Sequence, residues 1–318
     1  MDEFAWIDVL RRALGSSAPP VPWGIGDDAA LLPSTAQKQV IATDLMVEGI
    51  HFRRDWSHLR DVAYKLYASN ASDMWAMGAK PTRFLLSVVW DDTPDAAQAH
   101  ALAEGFLEAM TSWGPAELIG GDTSRGGTRM LSMTMLGVCV HTPWRRDGFQ
   151  AGDQLWIDGP VGWSAAGLDL LQDKKRATST AETQCVAQHL RPQRIAAACA
   201  EEIRGGIDIS DGLAADLLHA ARASGVRFVL DQPLPGRAEL LSVAKKWHAD
   251  TAAQERLCEA WQLGGGEDYV RVVGAPSCPG KGWTCIGRIE TGPASLFDER
   301  GAERQELNAM GWNHFRPV

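Results

Sequence analysis

The chain has 318 residues, 45% of them apolar, enough for about two domains with buried cores. Thirty-one basic residues face 40 acidic ones, a net charge of −9. That balance excludes the broad basic face that nucleic acid or an anionic membrane requires, so anions can be bound only locally or through metal ions that carboxylates hold.

Taken in chain order, an N-terminal amphipathic helix is followed by the proline-rich "SSAPPVPWGIGDDAALL", a structured loop. "QVIATDLMV" is β-branched and apolar and predicts a strand ending on Asp44. "DVAYKLYASNASDMWAMGA" has apolar residues at helical spacing, with Gly78 and Pro81 closing it. A strand "TRFLLSVVW", a helix "DAAQAHALAEGFLEAMTSW", a strand "AELIGGD" and a long strand "RMLSMTMLGVCV" complete a first domain, 1–143, up to the turn "TPWRRDG". The second domain, 144–318, opens on the strand and glycine turn of "AGDQLWIDGPVG". It continues with helices near 163–172, 181–190 and 192–204, then "GIDISDGLAADLLHAARASG", the strand "VRFVLD", two more helices, and the strands "DYVRVVG" and "TCIGRI". The expected class is two α/β domains.

The six cysteines (Cys139, Cys185, Cys199, Cys258, Cys278 and Cys285) form no CxxC pair and read as reduced thiols. The acidic start "MDEFAWIDVL" is unlike a signal peptide, and no apolar run approaches the roughly 20 residues of a membrane span. A soluble, cytoplasmic protein is the expectation.

"LIGGDTSRGGTRM" (118–130) looks like a phosphate cradle without its cation: glycines and hydroxyls surround Asp122, and no lysine follows. Standard phosphate loops fail elsewhere. "APSCPGKG" lacks the first glycine and the hydroxyl of a P-loop. "GIGDDA" fits a relaxed dinucleotide fingerprint, but it follows "PPVPW" rather than a strand, and its two carboxylates would repel a bare pyrophosphate. What remains is a series of aspartates at element edges: Asp28, Asp44, Asp73, Asp122, Asp208 and Asp211. Any one of them reads as a turn or cap residue, Asp211 before "GLAADLL" especially. Together, with Asp44 and Asp73 in apolar surroundings, they form an oxygen-rich, histidine-free set that suits Mg2+.

"GIGDDAALL", "ATDLMVEGIHF", "NASDMWAMGAKP", "GGDTSRG", "HLRP", "DISDGL", "GGGEDY" and "GWNHF", in that order and spacing, resemble thiamine-monophosphate kinase, a family of the aminoimidazole ribonucleotide synthetase-like fold. The resemblance implies two domains with mixed sheets flanked by helices. It implies transfer of the γ-phosphoryl group of ATP to thiamine monophosphate, several Mg2+ ions, and a homodimer built through the N-terminal domains. Carried over by position, it assigns metal ligation to Asp28, Thr43, Asp44, Asp73, Asp122, Asp208 and Asp211. It assigns ATP contacts to Gly121, Asp122, Arg146 and Ser210, and acceptor contacts to His51, Glu267 and Trp312. The residue types agree: an arginine can clamp phosphate in bidentate fashion, a tryptophan can stack on a cationic ring, and a glutamate can accept from an aminopyrimidine. No catalytic base is expected. Two positions depart from the pattern: Ala42 stands where a serine or threonine is usual, and Val270 replaces an acid.

Overall fold

A computed structural model describes residues 3–18, 32, 34–195, 197, 202–308 and 310–311. The chain divides into two compact units, Met1–Pro143 and Trp144–Val318.

The first unit contains helices α1 (Glu3–Leu14), α2 (Leu59–Ala76) and α3 (Ala96–Trp113), with strands β1 (Gln39–Val47), β2 (Ala79–Trp90), β3 (Glu117–Arg125) and β4 (Met130–Cys139). The sheet order is β1-β4-β2-β3, with β2 and β3 parallel and the other pairs antiparallel. Alternation drives the layering. In β4 every second residue from Leu131 to Cys139 is buried, which turns one face of the sheet onto the helices. Helix α3 starts on a reciprocal cap, in which Asp95 accepts from the Gln98 N–H at 2.8 Å and Gln98 accepts from the Asp95 N–H at 2.9 Å. Tyr67, Phe84 and Phe106 fill the core, Tyr67 edge to face with Phe84 and Phe106 tilted against it, with centroids 5.6–5.7 Å apart. The opposite face is open. Ile41 is 69% exposed, and Leu45 and Leu85 are exposed as well.

Three expectations change in this unit. β1 runs three residues beyond Asp44, so that carboxylate sits inside a strand. Pro81 lies in β2 at a register shift, and Gly78, at φ +70°, stops the helix instead. The strand "AELIGGD" runs on beyond its expected end at Asp122 to Arg125, so only 126–129 of "LIGGDTSRGGTRM" turn. The close approach that Gly121 permits is to the neighbouring strand: a Cβ there would lie 1.8 Å from the Leu86 carbonyl oxygen. Just before it a β-bulge sets Phe84 opposite Leu118 and Leu85 opposite Gly120, leaving Ile119 unmatched.

The second unit carries strands β5 (Gln154–Ile157), β6 (Gly205–Asp208), β7 (Arg227–Leu230), β8 (Arg271–Ala275), β9 (Thr284–Glu290), β10 (Ser295–Asp298) and β11 (Gln305–Leu307). Its helices are α4 (Trp163–Gln172), α5 (Thr180–Leu190), α6 (Leu213–Ser224), α7 (Arg237–Ala244) and α8 (Thr251–Gly264). The seven-stranded sheet has the order β11-β10-β7-β9-β5-β8-β6, with β7 and β10 its parallel pair. Leu155, Ile157, Ile207, Leu217, Phe228, Val272 and Ile286 form its core, and Val270 belongs to the same cluster. Position 270, where the resemblance led to the expectation of an acid, thus holds a core side chain. A second core joins Leu170, Cys185, Leu240, Cys258 and Trp261. Burial there pushes the Cys185 and Cys258 thiols up to about 12 and about 11, and all five described cysteines are free. The expected helix over 192–204 has no helical residue among those described, and β10 and β11 were not anticipated. Both sheets are mixed and flanked by helices. Among the described residues no helix is long and apolar enough to cross a membrane.

Candidate active site

In the first unit, Thr43 and Asp44 are neighbours on β1 and so project to opposite faces. Asp44 shares its face with buried Met46, Met133 and Leu86, through the register Asp44–Met133–Leu86–Gly121. It is half-buried, with Oδ2 out of solvent. The next row, Leu45–Ser132–Ser87–Asp122, carries Asp122 on the open face, exposed and accepting from the Thr123 N–H at 2.9 Å. β1 and β3 are the two edges of the sheet, three inter-strand steps apart, roughly 14 Å. Within this sheet, then, no single ion is reached by both Asp44 and Asp122. Asp73 lies half-buried in α2, the helix that packs on β1.

Thr43 already uses its hydroxyl in the sheet. It donates to the Met133 carbonyl at 3.0 Å and lies 3.1 Å from Thr134 Oγ1. His51 follows β1 in a turn where its Nδ1 accepts from the Val47 N–H at 3.0 Å. A neutral ring with that bond carries its proton on Nε2, which makes Nε2 the donor.

In the second unit the motif "DISDGLAAD" builds a tight loop. Asp208 ends β6 and is buried, and the chain then turns through Ser210, Asp211 and Gly212 into α6. Asp211 was a plausible cap from sequence. The structure makes Gly212 the N-cap, without a side-chain cap bond. The acid that satisfies the loop is Asp216, one turn into the helix. Its Oδ2 accepts N–H bonds from Ser210 and Asp211 at 3.0 Å and from Gly212 at 3.2 Å. Asp211 is thereby released from capping.

A second loop, "GGGEDY", lies against the first. The Glu267 N–H donates to the Ser210 carbonyl at 2.8 Å, and the Tyr269 N–H donates to Ile209 at 2.9 Å. Gly266 is required at the crossing, where a Cβ would lie 2.3 Å from the Ser210 oxygen. Glu267 and Tyr269 hold φ of +61° and +53°, a conformation that costs non-glycine residues about 1–3 kcal/mol each. Between them Asp268 is fully buried and anchors the loop to the start of α4, accepting from the Gly162 and Ser164 N–H groups at 2.5 and 2.9 Å. Burial pushes its carboxyl up to about 7, against the lowering pull of those bonds. Arg146 stands in the turn before β5, exposed, and its guanidinium has no partner among the described residues. Its neighbour Arg145 pairs with Asp147.

The structure thus brings Asp208, Ser210, Asp211 and Glu267 together in one unit, and Thr43, Asp44, Asp73, His51, Gly121 and Asp122 into the other. Asp28 and Trp312 lie outside the described residues. Sequence reading missed Asp216 and Asp268. The available signal was an acid in the first turn of α6, where carboxylates favour free N–H groups, and an acid beside a glycine run.

The donor set fits Mg2+. It is all oxygen, and in the second unit it is crowded: the Asp216 carboxyl is pushed up to about 7, first by burial and then by Asp208 and Asp211, a repulsion that a divalent cation would relieve. Among the described residues no group of three or more His, Cys, Asp or Glu side chains converges to hold an ion alone. Mg2+ ordinarily takes one or two carboxylates and completes its octahedron with water and phosphate oxygens.

Comparison with known proteins adds an independent line. A family described as AIR synthase related protein, N-terminal domain, matches residues 26–139. The chain is 38% identical to the thiamine-monophosphate kinase of Mycobacterium tuberculosis, over 99% of this chain and 92% of that protein. It is 34% identical to that of Escherichia coli K12, over 98% of each. A solved structure, AaThiL complexed with AMPPCP and TMP, superposes with a TM-score of 0.75 at 29% identity, covering 98% of this chain and 97% of that one.

Proposed function

The chain belongs to the thiamine-monophosphate kinase family, and from that premise we propose that it transfers the γ-phosphoryl group of ATP to thiamine monophosphate, as a cytoplasmic homodimer. The observation that carries the reading is the crossing of two loops at Ser210 and Glu267. One loop is rich in carboxylates beside a phosphate-type turn, and the other presents a single carboxylate suited to an amino group. The relative complexed with AMPPCP and TMP supports the same pair of ligands here.

The acceptor is already a phosphate anion, so no strong base is needed at neutral pH. The barrier is the approach of two polyanions and the charge spread over the transferring group. Arg146, Ser210, Gly121 and Asp122 contact ATP, and the exposed guanidinium of Arg146 supplies a fork for phosphate oxygens. His51 donates its Nε2–H to the acceptor phosphate, Glu267 accepts from the aminopyrimidine, and Trp312 stacks on a ring. Mg2+ bound at Asp28, Thr43, Asp44, Asp73, Asp122, Asp208 and Asp211 would neutralise charge and align donor with acceptor. Residues 1–143 supply ATP and Mg2+ contacts and the dimer face, and residues 144–318 complete the phosphate and acceptor contacts. The open, apolar side of the first sheet, with Ile41, Leu45 and Leu85 exposed, suits burial against a second copy.

The decisive experiment follows ADP and thiamine diphosphate from ATP, Mg2+ and thiamine monophosphate, with free thiamine as a parallel acceptor. Stoichiometric formation of both products from the monophosphate alone is expected, together with loss of turnover when Mg2+ is withheld or when Asp44 or Asp122 is changed to Asn. ATP binding without product from the monophosphate would refute the reading.

A further inference from the structure

The "HLRP" stretch has no role in the reaction described so far. Its histidine, His189, lies in the last turn of α5 and is buried. The Nδ1 atom sits 3.1 Å from Ser164 Oγ and 3.5 Å from Glu267 Oε2. The partners around it are themselves held in place. Ser164 opens α4, and its N–H is bound by Asp268. Gln188, next to the histidine, donates to the Asp268 carbonyl at 2.9 Å. Three segments therefore lock together: the start of α4, the end of α5 and the "GGGEDY" loop. The locked part includes the two positive-φ residues flanking Asp268. Backbone held this far from its preferred basin persists only where the surroundings over-determine it.

We propose that His189 is a positioning residue for Glu267, holding its carboxylate in the direction that receives the amino group of a heteroaromatic acceptor. The inference rests on the reading of Glu267 as an acceptor contact. A carboxylate oxygen facing Nδ1 favours the tautomer that carries its proton there, so His189 donates toward Glu267, with the Ser164 hydroxyl beside the same nitrogen. Being buried at the end of a helix, the ring does not swing away. Glu267 is then aimed before the acceptor arrives, and ordering it costs nothing at binding. A histidine that merely fills space would leave acceptor affinity untouched once the fold is intact.

The test measures KM for thiamine monophosphate, KM for ATP, kcat and melting temperature in His189→Leu, His189→Asn, Glu267→Gln and the double variant His189→Leu/Glu267→Gln, alongside calorimetric binding of thiamine monophosphate alone. Leucine keeps the volume and removes the donor, whereas asparagine places an amide nitrogen near the Nδ1 position. We expect His189→Leu to weaken acceptor binding about 10-fold or more, with KM for ATP unchanged, and His189→Asn to restore most of the loss. In the Glu267→Gln background the leucine change should add little. Additive effects in the double variant would overturn the proposal, as would a fall in melting temperature and kcat with acceptor binding intact. An unchanged acceptor affinity in Glu267→Gln overturns it too. Should His189→Leu fail to fold, Ser164→Ala removes the oxygen that competes with Glu267 for the Nδ1 proton and is expected to tighten acceptor binding by up to about 2–5-fold; a weakening would count against the proposal. Wild-type turnover decides the kinase reading on its own, while calorimetry reads His189 independently of turnover.

Discussion

The amide of Glu267 donates to the carbonyl of Ser210 across 2.8 Å, so the residue assigned to the acceptor and a residue assigned to ATP share one backbone hydrogen bond. Neither loop can be displaced without loading the other. The crossing depends on the absence of a side chain at Gly266, whose added Cβ would stand 2.3 Å from the Ser210 oxygen.

Gly266→Ala should therefore push the loops apart. Overpacking of this kind typically costs about 1–3 kcal/mol, and here it should raise KM for both ATP and thiamine monophosphate. Steady-state kinetics with each substrate varied, together with a thermal melt, checks this; a rise confined to one substrate would show the loops to be uncoupled.

Arg146 offers a cleaner separation of binding from stability. It is exposed and unpaired among the described residues, so Arg146→Ala should leave the melting temperature within a degree or two while raising KM for ATP by about 10–100-fold. Arg146→Lys should recover only part of that, because an ammonium lacks the planar fork.

The pH dependence of stability has one well-defined contributor in α5. Burial would raise the Glu182 carboxyl, but the Thr178 N–H, Lys246 and the Ser179 N–H together outweigh it, and it falls to about 2. A depressed folded value means that the stabilisation is present above the ordinary carboxylate range and is lost as pH falls toward about 2. Glu182→Gln should cost about 1 kcal/mol at pH 7, and the gap from wild type should close between roughly pH 4.5 and 2. Urea titrations at pH 7, 4 and 2.5 measure the gap, and a constant difference across them would contradict the assignment.

Ile41→Asp and Leu45→Asp place charge on the open face of the first sheet. Since both side chains are exposed in the single chain, neither change should unfold it, but both should shift sedimentation from the proposed dimer to monomer. A dimer persisting in both variants would locate the association elsewhere.

How much of this was legible beforehand depends on the range of the forces involved. Helix α3 and strand β4 are set by local sequence, and both were readable as elements. The strand as far as Asp122 was readable, but its continuation to Arg125 was not, because the strand it pairs with lies 35 residues away in sequence. Asp211 looked like a cap because it precedes a helix, whereas the carboxylate that does the work, Asp216, reaches back from inside that helix. β10 and β11 are four and three residues long, too short for any periodicity to register. The grouping of Glu267 with Ser210 is purely tertiary. Only the family resemblance placed those residues in one site, and the backbone bond between them was visible nowhere in the sequence.

The unmatched Ile119 has a consequence for how this protein can change. With the bulge, Asp122 falls opposite Ser87, on the open side of the sheet. Were Ile119 instead paired in a regular ladder opposite Leu85, Asp122 would come to lie opposite Val88, with its charge turned toward the packed helices, and every side chain after it would swap sides. Deleting the unmatched residue would leave Asp122 opposite Ser87, whereas drawing Ile119 into the ladder inverts the polarity of a whole strand end. Across evolutionary time the segment can therefore vary in residue identity, and by that one residue in length, provided Gly120 stays opposite Leu85.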